Sequence, residues 1–228
     1  MNPFFKTNHR KHNNRLNIKI LLSVLLFSVA SLVHAQQEDS PLNRLVATLA
    51  EIKTFSGTFV QYAVDQKGAR IQESRGELKA DRSGLFYWHT TEPLEQTVVS
   101  NGSEVTVYDP DLEQATIQAI GNQVQTTPAI LFSGDTEKIG EMFTVDIRSQ
   151  VASSIQYSLK PKNQESLFEL LMVRFEGQNL KELRITDALG QESTMSFVQT
   201  QINQTFSDDT FQLTLPEGTD IIRDIPTK

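Results

Sequence analysis

The chain has 228 residues, 38% of them hydrophobic, a formal net charge of −7 and no cysteine. An acidic protein of this size offers no net field to hold nucleic acid or an anionic membrane surface. Without thiols it has no disulfide, no thiolate nucleophile, no cysteine zinc site and no lipid-attachment cysteine.

The first 19 residues carry five basic side chains (Lys6, Arg10, Lys11, Arg15, Lys19) and no acid, and residues 20–33 are almost wholly apolar. Val33-His34-Ala35 then places small residues where a signal peptidase needs them, so residues 1–35 are predicted to be a signal peptide cut after Ala35. The apolar run is short for an anchor helix. Cleavage leaves residues 36–228, a 193-residue chain predicted to form a single domain. Losing five basic residues and no acid moves the formal charge from −7 to −12.

Ser40 and Pro41 read as an N-cap followed by a first-turn proline. Leu42, Leu45, Val46, Leu49 and Ile52 follow at helical spacing, predicting an amphipathic helix of about three turns. From Phe55 the period becomes two. Strands are predicted over 55–65 and 70–80 around Gln66-Lys67-Gly68, and over 84–90. A hairpin follows, 96–100 with 104–109, around Asn101-Gly102, the strongest short turn signal in the chain. Residues 114–120 continue the sheet. Thr127-Pro128 opens a short helix through Ala129, Ile130, Leu131 and Phe132, and Asp135 is predicted to cap another running towards Met142. Strands return over 143–148, 155–160, 167–175, 180–187 and 194–201, with a last one over 210–215 ending at Pro216. Strand after strand joined by short turns implies one antiparallel sheet that curls, with a few short helices over one face.

Catalytic signals are weak. His89 is the single histidine after Ala35, with no nucleophile elbow, no HExxH and no second histidine beside it. A structural histidine at a strand end explains it more simply. The scattered carboxylates single out no acid pair, and no cofactor or metal is implied.

The apolar inventory says more. Leu85-Phe86-Tyr87-Trp88 places four large apolar residues in succession on one strand, and alternation sends two to each face. Both faces of that strand therefore need cover. Phe55, Phe59, Val60, Tyr62 and Val64 load another strand, and Leu167 to Phe175 load a later one. The residues alone leave two readings open, a well-covered core or an apolar site for lipid under a partial helical cover.

The segment DRSGLFYWHTTEPLEQTVVSNG, residues 81–102, resembles the corresponding stretch of the LolA family of periplasmic outer-membrane lipoprotein carriers. IKTFSGTFVQ, YDPDLEQAT, TPAILF and TFQLTLPEG agree with that family in order. The resemblance implies a mainly β (α+β) fold, an open, incomplete antiparallel β-barrel (half-barrel) with short helices forming a lid over a hydrophobic cavity. It implies a protein that is not an enzyme. Such a carrier takes the acyl chains of lipoproteins from the inner-membrane ABC transporter LolCDE and delivers them to the outer-membrane receptor LolB. The family's functional arginine falls on Arg82, where it would bond lid-helix carbonyls and hold the cavity closed. The aromatic of the LFxW motif falls on Phe86. Lipid-cavity candidates are then Phe86, Trp88, Leu45, Leu49, Phe59, Ile130, Leu131 and Phe132, in a monomer that binds no nucleic acid. Ser83-Gly84 departs from the Pro-Asn that relatives often carry after the arginine. The alternative is a periplasmic lipid- or peptide-sensing regulator on the same half-barrel.

Overall fold

The computed structural model describes residues 40–119, 131, 136–164 and 166–224. Residues 39–228 form one compact unit. The predicted signal peptide (residues 1–35), Ile130, Phe132, Asp135 and most of the helix expected from Thr127 lie outside the described residues.

Helix α1 spans Pro41–Ala50 and starts as the sequence dictates. The Ser40 hydroxyl accepts from Asn43 N–H at 3.2 Å, satisfying one of the first-turn donors that no helical carbonyl reaches. Leu45 and Leu49, four residues apart, form its buried stripe. The chain then alternates through β1 (Thr54–Val64), β2 (Arg70–Asp81), β3 (Leu85–Glu92), β4 (Gln96–Asn101), β5 (Glu104–Asp109) and β6 (Gln114–Ala119). A short helix α2 (Glu137–Met142) leads into β7 (Phe143–Val151), β8 (Ser154–Pro161), β9 (Phe168–Glu176), β10 (Asn179–Asp187), β11 (Glu192–Ile202) and β12 (Asp220–Asp224).

The twelve strands of the described residues join one sheet in the order β12-β6-β5-β4-β3-β2-β1-β11-β10-β9-β8-β7. The two end strands, β12 and β7, are not paired with each other among the described residues, so the sheet stays open. Glycine makes two of its features possible. At Gly102 the hairpin turn needs φ of 90°, which costs other residues a steric clash. At Gly76 an added Cβ would lie 2.0 Å from the His89 carbonyl oxygen and 2.7 Å from the Phe59 ring, so only glycine lets Phe59 lie flat on β2.

Directly opposed residues of paired strands share a face. The register sets Phe55 opposite Ala80, Phe59 opposite Gly76, Ala80 opposite Phe86 and Leu78 opposite Trp88. These side chains face α1. With Tyr157, Leu159, Leu171, Val173, Phe175 and Phe197 from the other half of the sheet they border or build the main core, which also takes in Leu45, Leu49 and Leu131. The opposite face is charged on β2, β9 and β10. Arg70 and Arg75 flank Glu73 at 2.8 Å each, and Arg174 and Arg184 flank Glu182 at 3.4 Å each. The Arg75 hydrogen bond is the main reason the Glu73 carboxyl lies below the ordinary carboxylate value.

Three expectations are corrected. Residues 210–215 are not a strand. Their alternation buries Phe211 while the segment 203–219 crosses from the start of β1, where Asn203 N–H meets the Thr54 carbonyl at 2.9 Å, to β6, where Asp220 N–H meets the Glu113 carbonyl at 2.8 Å. The last strand is β12, which runs parallel to β6, so the sheet is not purely antiparallel. A crossover this long is what a parallel pairing requires. Finally, Leu167 is exposed and precedes β9 rather than loading it.

Candidate functional site

The candidate site lies where the C-terminus of α1 meets the turn between β2 and β3. Asp81 Oδ1 accepts from the Ser83 backbone N–H at 2.8 Å and its hydroxyl at 2.5 Å, and Gly84 takes φ of 90°. This tight turn leaves Arg82 reaching back to the end of α1. Arg82 N–H donates to the Lys53 carbonyl at 3.0 Å. Its guanidinium donates from Nη1 to the Leu49 carbonyl at 2.7 Å.

Leu49 belongs to the last turn of α1, where carbonyls lack helical partners. Its oxygen also accepts from Ile52 N–H at 3.1 Å. No basic residue stands in that last turn, so the cation that favours a helix C-terminus comes from Arg82, 33 residues further along the chain. The guanidinium is thus bonded to the helix it would have to release.

Beneath this contact lies the edge of the main core. A void of about 20 Å³ remains, bordered by Leu49, Ile52, Phe55, Arg82, Leu131 and Leu180 among others. That is room for about one water, whereas ligand pockets of drug-sized molecules run to about 300–1,000 Å³. An acyl chain does not fit this void as it stands.

Leu45, Leu49, Phe59 and Leu131 are all buried in the main core. Trp88 packs against that core, its ring 4.8 Å from Phe59, and its indole N–H donates to Thr90 Oγ1 at 3.2 Å. Phe86 is half-buried on the same face. Beside it stand Val98, Val105 and Val107, brought together by the register Trp88 to Val98, Val98 to Val107 and Ser100 to Val105. They are half-buried and extend the apolar face beyond the main core. Sequence reasoning missed these valines. The signal was available in their alternation on either side of Asn101-Gly102, which sets them across from each other.

The other two members of the aromatic run have separate cover. Tyr87 carries Lys79 Nζ 5.1 Å above its ring, and burial raises its hydroxyl above the ordinary tyrosine value. Leu85 lines a groove with Phe206 and Phe211 of the C-terminal segment. Val99, Ala115 and Ile117 are buried on this same face, outside the main core. The four-residue run therefore serves two cores.

His89 points away from the apolar face. Its Nδ1 lies 2.9 Å from Thr97 Oγ1 and its Nε2 lies 3.8 Å from Glu95. His89 and Thr97 are opposed residues of β3 and β4, so the histidine ties two strands together. Among the described residues no cluster of three or more His, Asp or Glu is placed to hold a metal ion.

Comparison with known proteins agrees with this arrangement. The family described as "Outer membrane lipoprotein carrier protein LolA" matches residues 50–214. An outer-membrane lipoprotein carrier protein of Hahella chejuensis is 39% identical over 207 residues, covering 90% of this chain and 98% of the relative. One from Pseudomonas fluorescens is 36% identical, covering 91% of this chain and 98% of the relative. The crystal structure of an uncharacterized conserved protein from Thermus thermophilus superposes with a TM-score of 0.53 at 12% identity, over 80% of this chain and 96% of that one. That likeness concerns the fold alone. With the family match spanning most of the described sheet, the chain belongs to the outer membrane lipoprotein carrier protein LolA family.

Proposed function

We infer that this protein is a periplasmic carrier that binds the acyl chains of lipoproteins and takes them towards the outer membrane, and that it is not an enzyme. The observation that carries the reading is the Arg82 contact with the Leu49 carbonyl, which pins a helix over an apolar sheet face in a chain of this family. Arg82 acts as the latch. Leu45 and Leu49 leave the core when the latch opens, and Phe59, Phe86, Trp88 and Leu131 meet the incoming chains. Full-length likeness to proteins named as lipoprotein carriers favours this over a lipid- or peptide-sensing regulator.

Magnitudes support a latch of this strength. Undocking Leu45 and Leu49 costs about 1.5–3 kcal/mol each, and a hydrogen bond to a charged group adds about 1.5–3 kcal/mol. One acyl chain on the order of 15 methylenes, at about 0.8 kcal/mol each, more than offsets that sum. The helix is therefore held closed when empty and displaced when loaded. The same arithmetic makes spontaneous escape of a lipoprotein from a bilayer negligible. A donor that spends ATP, the LolCDE transporter, and an acceptor with a more favourable site, the receptor LolB, complete the route.

The test is release. Energised inner-membrane vesicles bearing newly made lipoprotein should yield a soluble complex of lipoprotein with this protein. Lipoprotein that stays with the vesicles in its presence would contradict the reading.

A further inference from the structure

The carrier reading leaves one large groove unused. It lies between the C-terminal segment and the ends of β1–β4, has a volume of about 630 Å³, and is lined by Asn101, Gln204, Phe206, Phe211 and Gln212 as well as Leu85. Lys53, Thr54 and Asp81 border both this groove and the void beneath α1. The two spaces share a rim at the end of the sheet. Adjacent residues of β3 look into opposite sides of it, Phe86 towards the apolar face and Leu85 towards the groove.

The groove wall is built into the fold. Asn203 donates from Nδ2 to the Glu51 carbonyl at 2.9 Å and accepts on Oδ1 from Lys53 N–H at 2.7 Å. Thr54 Oγ1 donates to the Gln204 carbonyl at 2.7 Å. Phe206 and Phe211 meet edge to face with centroids 5.4 Å apart. The linker from α1 to β1 is thus stitched to the groove on one side and held by Arg82 on the other.

We propose that this groove holds the polypeptide that follows the acylated residue of a lipoprotein cargo, in extended form. The proposal rests on the carrier reading. An acylated terminus must divide at the carrier: its chains seek the apolar face, while the first peptide groups need hydrogen-bond partners and are costly to bury without them. A rim shared by an apolar face and a groove of mixed polar and apolar lining is where such a molecule parts. Asn101 Oδ1 is engaged by its own turn and Gln212 Nε2 by the Asp208 carbonyl, which leaves the Asn101 amide N–H groups and the Gln212 side-chain carbonyl to meet peptide C=O and N–H groups of any sequence. The two phenylalanines supply side-chain contact without demanding a particular residue. An open trough fits an extended strand of chain better than a compact solute.

The experiment places a photo-activatable cross-linking residue at Gln212, at Asn101 or at Phe86 of the full chain, loads each with one triacylated lipoprotein, and maps the products by mass spectrometry. Cross-links from positions 212 and 101 to the residues just after the lipidated cysteine, with acyl-chain cross-links from position 86, are expected. Acyl cross-links at 86 with none to peptide from the groove would overturn the groove and leave the carrier reading standing. Peptide cross-links from the groove with none at 86 would keep a peptide site and remove the acyl reading. Silence at all three would remove both. As a second measure, Gln212→Trp fills the trough and should speed cargo loss about tenfold, the effect of roughly one lost side-chain contact set, while hydrophobic dye binding is unchanged. An unaltered release rate would also overturn the proposal.

Discussion

The guanidinium Nη1 of Arg82 stands 2.7 Å from the carbonyl oxygen of Leu49, so a residue in the turn after β2 terminates a helix that the chain completed more than thirty residues earlier. Helix α1 has no basic residue of its own at that end. Leu45 and Leu49 dock it on the core, Arg44 ties it to Gln150 at 3.0 Å, and the Arg82 bond holds its C-terminal end.

Replacing Arg82 by leucine should therefore loosen α1 without unfolding the sheet. Loss of a hydrogen bond to a charged group, about 1.5–3 kcal/mol, raises the open population by a factor of roughly 10–100. Binding of a hydrophobic fluorescent dye to the unloaded protein is expected to rise. Arg82→Lys, which keeps the charge but not the planar fork, should fall between the two. Dye binding equal to the wild type in Arg82→Leu would remove the latch.

Gly76 makes a sharper structural prediction. Gly76→Ala forces a methyl against the His89 carbonyl and the Phe59 ring, and overpacking of this kind costs about 1–3 kcal/mol. Because Phe59 carries Trp88, the displacement should also alter the near-ultraviolet signal of this single tryptophan. Urea unfolding and circular dichroism check both. An unchanged midpoint would show that β2 has slack the register does not suggest.

Alkaline pH should weaken the fold. Burial raises the Tyr157 hydroxyl above tyrosine's ordinary 10.0, partly countered by the Thr48 hydrogen bond. Burial likewise raises Tyr87, helped by the charges of Glu77 and Glu95. As pH climbs past about 10 the unfolded tyrosines lose protons first, so the unfolded state gains and stability falls. Below that value the contribution is fully present. The urea midpoint should be flat between about pH 7 and 9, then decline, and Tyr157→Phe should shallow the decline. Equal slopes for variant and wild type would contradict the assignment to Tyr157.

Much of the sheet was legible because its signals are local. Ser40 and Pro41 marked the start of α1, and Asn101-Gly102 fixed the hairpin. Parity along Leu85 to Trp88 divided that strand between two faces. What escaped was set by tertiary pairing. The strand Asp220–Asp224 is exposed along its length and owes its conformation to β6, whereas the alternating residues 210–215 anchor an extended crossing through Phe211. The partner of Arg82 was likewise hidden, since nothing near residue 82 in the sequence points to a carbonyl at residue 49. Family resemblance supplied that role, and the geometry supplied the atom.

The basic and apolar start of the chain predicts export with cleavage after Ala35. N-terminal sequencing of protein recovered from the periplasm should begin at Gln36. A product retaining the apolar run 20–33 would make this chain membrane-tethered, which a shuttling carrier cannot be.

The central claim is that the apolar face beneath α1 receives lipoprotein acyl chains. The most direct measurement isolates the protein from its native periplasm without detergent and identifies bound material by intact-complex mass spectrometry. The account predicts triacylated lipoprotein, one molecule per chain. Free phospholipid or peptide alone, with no acylated protein, would contradict it.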